Sequence, residues 1–240
     1  MSGHSKWATT KRAKAIVDAK KGAIFTKIAK LITIAARKGG DPTANFSLRI
    51  AIDKAKSINM PKDNIERAIK RGTGESDGAQ IEELIYEGIG PAKTQFIVKC
   101  LTDSKNRTAA EIRHLFSKHG GSLGTVMWNF VQRGTIMIEQ AEINDKKLTD
   151  ENFELELIDA GAEDIKKEDE GMTIYTAPID LQKTKQFLEN KNIKTESAEV
   201  EYVAKEQANL NDDEKTHVEK FIEELDNNED VADYYTNANL

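Results

Sequence analysis

Eleven cations near the start of the chain carry the chemistry that the sequence makes available. Lys6, Lys11, Arg12, Lys14, Lys20, Lys21 and Lys27 form one series, and Lys62, Arg67, Lys70 and Arg71 a second. Ammonium and guanidinium groups repeated at short spacing neutralise successive phosphates, and such contacts position a polyanion without reading its sequence. Residues 1–72 hold 17 Lys and Arg against 5 Asp and Glu, whereas the rest of the chain holds 18 against 36. The net charge of −6 therefore conceals a basic block ahead of an acidic body. One lysine stripe is ordinarily a solvated helix face. A surplus of twelve positive charges in a small unit repels itself and calls for a polyanionic partner. No helix rich in Arg, Asn and Gln stands out to read base edges, so structured RNA recognised by shape and backbone fits at least as well as an operator.

Other chemistries lack their residues. His4, His114, His119 and His217 are scattered, and Cys100 has no second cysteine beside it, which leaves no zinc ligand set and no internal disulfide. Gly120-Gly121-Ser122-Leu123-Gly124 follows a helical pattern and precedes a strand, the reverse of a phosphate-binding loop, and no Gly-Lys-Ser/Thr occurs. Neither a Gly-x-Ser-x-Gly elbow nor a His-Glu-x-x-His pair is present. No catalytic residue, metal, cofactor or small-molecule substrate is expected. The most apolar stretch, Ile24 to Ala36, is broken by Lys27 and Lys30, so no membrane span is expected. The opening Met1-Ser2-Gly3-His4-Ser5-Lys6-Trp7 has no apolar core of a leader, and a cytoplasmic location is expected.

The elements that must position the cations follow from periodicity. Asp18 to Lys38 reads as an amphipathic helix with Ile24, Phe25, Ile28, Leu31, Ile32 and Ala35 on one face. Gly39-Gly40-Asp41-Pro42 ends it, a second helix spans Thr43 to Ser57, and Pro61 opens a short third one that Gly72 closes as a residue just past its end. Trp7 is expected to anchor the basic arm to this bundle. Beyond a Gly-rich linker come strands at Ile81 to Glu87 and Gln95 to Thr102, a helix capped by Asn106, and a strand at Val126 to Val131. From Thr135 the order is strand (135–139), helix (149–160), strand (164–168), strand (172–176), helix (178–191), strand (195–202), the β-α-β-β-α-β arrangement of ferredoxin-like folds. A helix at Asp212 to Leu225 and an apolar end at Val231 to Thr236 remain, and returning them to the preceding sheet makes the third domain an insertion. The expected fold is α+β: a basic three-helix domain (1–72), a discontinuous α/β domain (73–134 with 206–240) and an acidic ferredoxin-like insertion (135–205).

Gly3-His4-Ser5-Lys6-Trp7, Asp18-Ala19-Lys20-Lys21-Gly22, Phe25-Thr26-Lys27, Gly39-Gly40-Asp41-Pro42 and Asn59 to Ile69 are followed by Tyr86-Glu87-Gly88, Leu101-Thr102-Asp103, Asn106-Arg107-Thr108, Phe116-Ser117-Lys118 and Asp230-Val231. In this order the blocks resemble the YebC/PmpR family, which includes the mitochondrial translational activator of cytochrome oxidase subunit one. The resemblance implies a helical N-terminal domain and two α/β domains, the third inserted in the second, and a non-enzymatic regulator. Family members are described as DNA-binding transcriptional regulators and as ribosome-associated factors that ease difficult elongation. The chain departs from the family at Ala13, where an arginine is frequent, and at Asn45-Phe46-Ser47-Leu48-Arg49, commonly Asn-Pro-Arg-Leu-Arg. It also lacks the few extra residues that many members carry after Gly124.

The expectation is a monomeric nucleic-acid-binding regulator that takes DNA or ribosomal RNA, with the ribosome as a partner. Two other classes stay open: a protein-interaction module docking its basic block on an acidic partner, and an enzyme using a cleft between the α/β domains.

Overall fold

The structure is a computed structural model and describes Trp7 and residues 21–76, 80–148 and 151–240. The chain divides into two compact units, one formed by Thr9–Asn129 with Glu206–Leu240, the other by Met1–Ala8 with Phe130–Lys205.

In the first unit, helices α1 (Lys21–Ala36), α2 (Phe46–Ser57) and α3 (Lys62–Thr73) pack around Ile28, Ile32, Leu48, Ile52, Ala55, Met60 and Ile65. Asn45 sets the corner between the first two. Its side-chain oxygen accepts from the Leu48 amide at 3.1 Å, capping α2, while its amide nitrogen donates to the carbonyls of Ala35 and Gly39 at the end of α1. One side chain thus satisfies orphan groups at two helix ends. Gly72, expected just beyond α3, lies inside it instead. A Cβ there would stand 2.4 Å from the Thr33 carbonyl oxygen and 2.6 Å from Ala36 Cβ, so α1 and α3 cross where α3 has no side chain. The helix ends one turn position later, at Gly74 in the left-handed conformation (φ 81°), where glycine carries no steric penalty.

Strands β1 (Glu82–Ile89) and β2 (Gln95–Thr102) form an antiparallel hairpin, followed by α4 (Lys105–Lys118) and the short β3 (Ser122–Leu123). Ser104, rather than Asn106, is the residue preceding α4. After the second unit the chain returns as β8 (Ala208–Asn209, numbered by chain order), α8 (Asp212–Asn227), β9 (Val231–Thr236) and β10 (Ala238–Asn239). The sheet order is β3-β1-β2-β9, so the C-terminal strand pairs with β2 as the leftover elements required. Phe96, Val98 and Cys100 of β2 pack against Ile112 and Phe116 of α4 and Val218, Phe221 and Leu225 of α8. Phe96 and Phe221 meet edge to face at 4.9 Å, the favoured aromatic geometry.

The second unit holds β4 (Phe130–Glu139), α5 (Gln140–Lys146), α6 (Glu151–Asp159), β5 (Ala162–Glu168), β6 (Gly171–Thr176), α7 (Leu181–Asn190) and β7 (Ser197–Ala204). Its antiparallel sheet runs β5-β6-β4-β7, the ferredoxin-like order, and it is inserted between the parts of the first unit. The two strands expected at 126–131 and 135–139 are one strand, β4, preceded by a 3-10 turn at Met127–Asn129. Glu87 holds that turn by accepting the Val126 and Met127 amides, and a carboxylate on a neighbouring strand is invisible to local periodicity. Helix α5 was not expected either, since seven polar-rich residues give too short a pattern. Trp7 is buried, 3% exposed, and its indole lies against Gly171 of β6. An aromatic in a basic arm signals an anchor without naming its seat.

Candidate nucleic-acid interface

Of the eleven cations, Lys6, Lys11, Arg12, Lys14 and Lys20 lie outside the described residues, and Lys21 opens the described part of α1. Lys27 departs from the expected role. Its ammonium is turned inward and donates to the Asp226 carbonyl oxygen at 2.7 Å. Burial pushes its pKa below the ordinary lysine value, with the Asp226 carboxylate opposing the shift. Three residues further along α1, Lys30 donates to the Glu229 carbonyl at 3.1 Å and to the Asp230 carboxylate at 2.7 Å. Helix α8 has no basic residue in its last turn. Its carbonyl end, the negative pole of the helix dipole, receives Lys27 from α1 instead, while Lys30 binds just beyond it.

Asp230 is the polar centre of this contact. Its carboxylate is 4% exposed and accepts from Lys30, from Arg107 at 2.9 Å, and from the hydroxyls of Thr108 at 2.7 Å and Thr102 at 3.1 Å. Burial alone would raise its pKa; the hydrogen bonds from Lys30, Arg107 and Thr108 outweigh it and hold the carboxyl at about 2. Arg37, on the same helix, donates to the Ile81 carbonyl at the edge of β1. One face of α1 is therefore spent on joining the helices to the sheet.

Helix α3 presents the remaining candidates. With about 100° per residue, Ile65, Ala68 and Gly72 point inward and Lys62, Lys70, Arg67 and Arg71 follow one another across the outer half. Lys62, Arg67 and Lys70 are exposed and Arg71 is half-buried. Two carboxylates, Asp63 and Glu66, interrupt the arc, and Lys62 reaches Glu66 at 3.3 Å. That ion pair is on the open surface, where such pairs contribute ~1 kcal/mol or less, so a phosphate can displace the carboxylate. Arg67 is oriented by the Asp63 carbonyl at 3.2 Å and by the Asn64 side chain. Exposed Lys38 and Lys56, outside the eleven, add to the unit's positive surface. Arg49 lies over the Phe46 ring at 5.3 Å, a cation–π contact.

Among the described residues no three of His, Cys, Asp or Glu converge to hold a metal ion. No described helix is long and apolar enough to cross a membrane. Cys100 is fully buried, and desolvation, reinforced by the Asp230 charge, pushes its thiol up to about 12. Sequence reasoning passed over Asp230, which stood only as part of a family motif. A single Asp ahead of an apolar strand carries no local sign that four donors from three other elements converge on it.

Comparison with known proteins places this arrangement. Residues 5–75 match the family model described as TACO1/YebC protein N-terminal domain, and residues 81–238 match that described as TACO1/YebC second and third domain. A probable transcriptional regulatory protein of Thermoanaerobacter pseudethanolicus is 48% identical over 100% of this chain and 98% of its own. Another from Syntrophus aciditrophicus is 47% identical, over 100% and 96%. The crystal structure of a conserved hypothetical protein from Aquifex aeolicus superposes with a TM-score of 0.80 at 38% identity, covering 93% of this chain and 92% of that one. Matched along nearly its whole length in sequence and in fold, the chain belongs to the TACO1/YebC family.

Proposed function

We propose that the protein is a non-enzymatic regulator of gene expression that grips nucleic-acid backbone through its basic N-terminal segment. The observation that carries this reading is the outer side of α3. Lys62, Arg67 and Lys70 stand exposed there while the apolar side of the helix is fully used in the core. The arm cations Lys6, Lys11, Arg12, Lys14 and Lys20, with Lys21, extend the same charge along the chain, and the relatives' names as probable transcriptional regulatory proteins supply the regulatory role. Lys27 drops out of the interface because its ammonium is committed to α8. Contacts of this kind read charge and shape. Structured RNA, ribosomal RNA included, is the favoured target over a sharply defined promoter, and the molecule works as a monomer in the cytoplasm.

The test is a pair of anisotropy titrations, with a labelled hairpin RNA and a labelled DNA duplex, each repeated across a salt series. If ~6 phosphates are engaged on the duplex, log K falls against log salt with a slope near −5. Lys62→Ala with Lys70→Ala should reduce that slope by about 2 units, whereas Lys27→Met should leave it unchanged. Co-sedimentation with ribosomes then separates a translational from a promoter-bound role. Absence of binding to either nucleic acid at every salt would remove this reading.

A further inference from the structure

Among the described residues, three aliphatic side chains stand more than half in solvent: Leu155 at 60%, Ile158 at 55% and Ile179 at 87%. All three belong to the helical layer of the inserted unit. Helix α6 and the residue after it bury Phe153, Leu157 and Ala160, spaced four and three apart. At about 100° per residue, Leu155 and Ile158 fall ~60° from each other on the opposite side of the helix. Ile179 borders the end of α6. The next residue, Asp180, has its Cβ 3.0 Å from an ideal Cβ at Gly161, and the Gly161 amide donates to the Ile158 carbonyl at 2.9 Å. A lone exposed aliphatic is ordinary on a folded surface. Three on one helix and the turn beside it form an apolar strip, and such strips mark surfaces that another molecule covers.

Charge narrows what can cover this one. Helix α6 holds Glu151, Glu154, Glu156 and Asp159 and no Lys or Arg, and residues 135–205 hold 18 Asp and Glu against 9 Lys and Arg. The cations that reach α6 do not offset its outer side. Lys191 pairs with Glu156 at 2.6 Å from the α7 side, and Lys167 of β5 holds Glu154. Lys183 of α7 takes the Asp159 carbonyl at 2.8 Å rather than the carboxylate, which stays exposed beside Ile158. A nucleic acid or an anionic membrane is repelled by such a rim. A second copy joined about a two-fold axis would lay the same carboxylates against themselves. The complement of an apolar strip rimmed by carboxylates is an amphipathic helix with Lys and Arg beside its aliphatic stripe.

We propose that the outer face of α6, with Ile179, docks a basic amphipathic helix of a partner protein. Leu155, Ile158 and Ile179 meet its aliphatic stripe, and Asp159 with the net negative charge of α6 draws its cations. This surface is independent of the basic N-terminal segment. The chain therefore carries two recognition surfaces of opposite charge, and the acidic insertion is a binding element rather than a solubilising one.

The experiment uses the full chain and a fluorescein-labelled peptide of about 18 residues, long enough to form a helix, with Leu on one face and Lys on the other. Anisotropy should show saturable binding. Leu155→Ser with Ile158→Ser, both solvent-facing changes that leave the core intact, should weaken it about tenfold or more, and Asp159→Lys about fivefold. Ile85→Ser, an exposed aliphatic of the other unit, should leave it unchanged. A peptide with Ser in place of Leu, and one with Glu in place of Lys, should each bind at least about tenfold more weakly. No binding of the Leu/Lys peptide overturns the proposal, as does equal affinity of the Leu155→Ser, Ile158→Ser variant or of the Glu peptide. Sedimentation velocity of the chain alone should give a monomer. An oligomer that the same double variant dissociates would make the occupant a second copy and overturn the basic-partner reading. No nucleic acid is present in these assays, so their failure leaves the role of the basic segment standing.

Discussion

Replacing Asp230 by Asn tests how the helical segment is joined to the β3-β1-β2-β9 sheet. The carboxylate is 4% exposed and accepts from Lys30, Arg107, Thr108 and Thr102. Its pKa is held at about 2 against an ordinary 3.8. At about 1.4 kcal/mol per pKa unit, the ionised form is favoured in the folded state by about 2.5 kcal/mol. Because the folded pKa lies below the unfolded one, this stabilisation is fully present above pH 4 and is lost as pH falls through the folded value. An asparagine keeps one acceptor and strands Lys30, whose side chain is 16% exposed, beside a neutral group. Removing one partner of a buried pair costs about 3 kcal/mol, so Asp230→Asn should lose ~2–3 kcal/mol at pH 7. Urea unfolding followed by far-UV circular dichroism at several pH values reads this out. The gap between parent and variant should be widest at neutral pH, narrow below pH 4 and close below pH 2, as the folded parent carboxyl itself becomes protonated. A penalty below ~0.5 kcal/mol, or one independent of pH, would refute the account of Asp230 as a charged hub.

Other outcomes follow from the same geometry. Gly72→Ala should destabilise the chain by about 2 kcal/mol or more, seen as a lowered urea midpoint, since the new methyl meets Thr33 O at 2.4 Å. Lys27→Met should lower stability by about 1 kcal/mol through the lost bond to the Asp226 carbonyl, with nucleic-acid affinity unchanged in anisotropy. Cys100 should resist a thiol reagent at pH 8 in the native state and react at once in denaturant, because burial keeps it protonated to about 12.

Periodicity carries most of the fold here because most elements are amphipathic. The bundle helices, the hairpin and the β-α-β-β-α-β order each bury a face whose repeat length names the element. What stayed hidden depends on partners far away in sequence. Two expected strands fuse into β4 because Glu87, on another strand, organises the turn before it. Gly72 sits inside α3 because α1 approaches there, and the helix-end signal of a glycine is the same in both cases. For the site, net charge identifies the basic segment, but exposure decides which cations can serve. Lys27 and Lys70 look equivalent as letters; one bonds a helix carbonyl and the other faces solvent.

The insertion also has a consequence for the order in which the protein can be made. The core around Phe96 and Phe116 is completed by Val218, Phe221, Leu225 and β9, all from the last 35 residues, and the Asp230 hub is supplied by the same segment. The inserted unit is contiguous from Phe130 to Lys205 apart from the Trp7 segment. During synthesis, where domains fold as units as they emerge, the middle of the chain can close while the earlier sheet still waits for its final strand. Lys27, Lys30 and Arg107 reach Asp226, Glu229 and Asp230 only after those residues have been made, so the segment that follows the insertion is what locks helices to sheet. A chain stopped at Lys205 should protect the amides of β4 to β7 from hydrogen exchange and leave those of β1 and β2 unprotected.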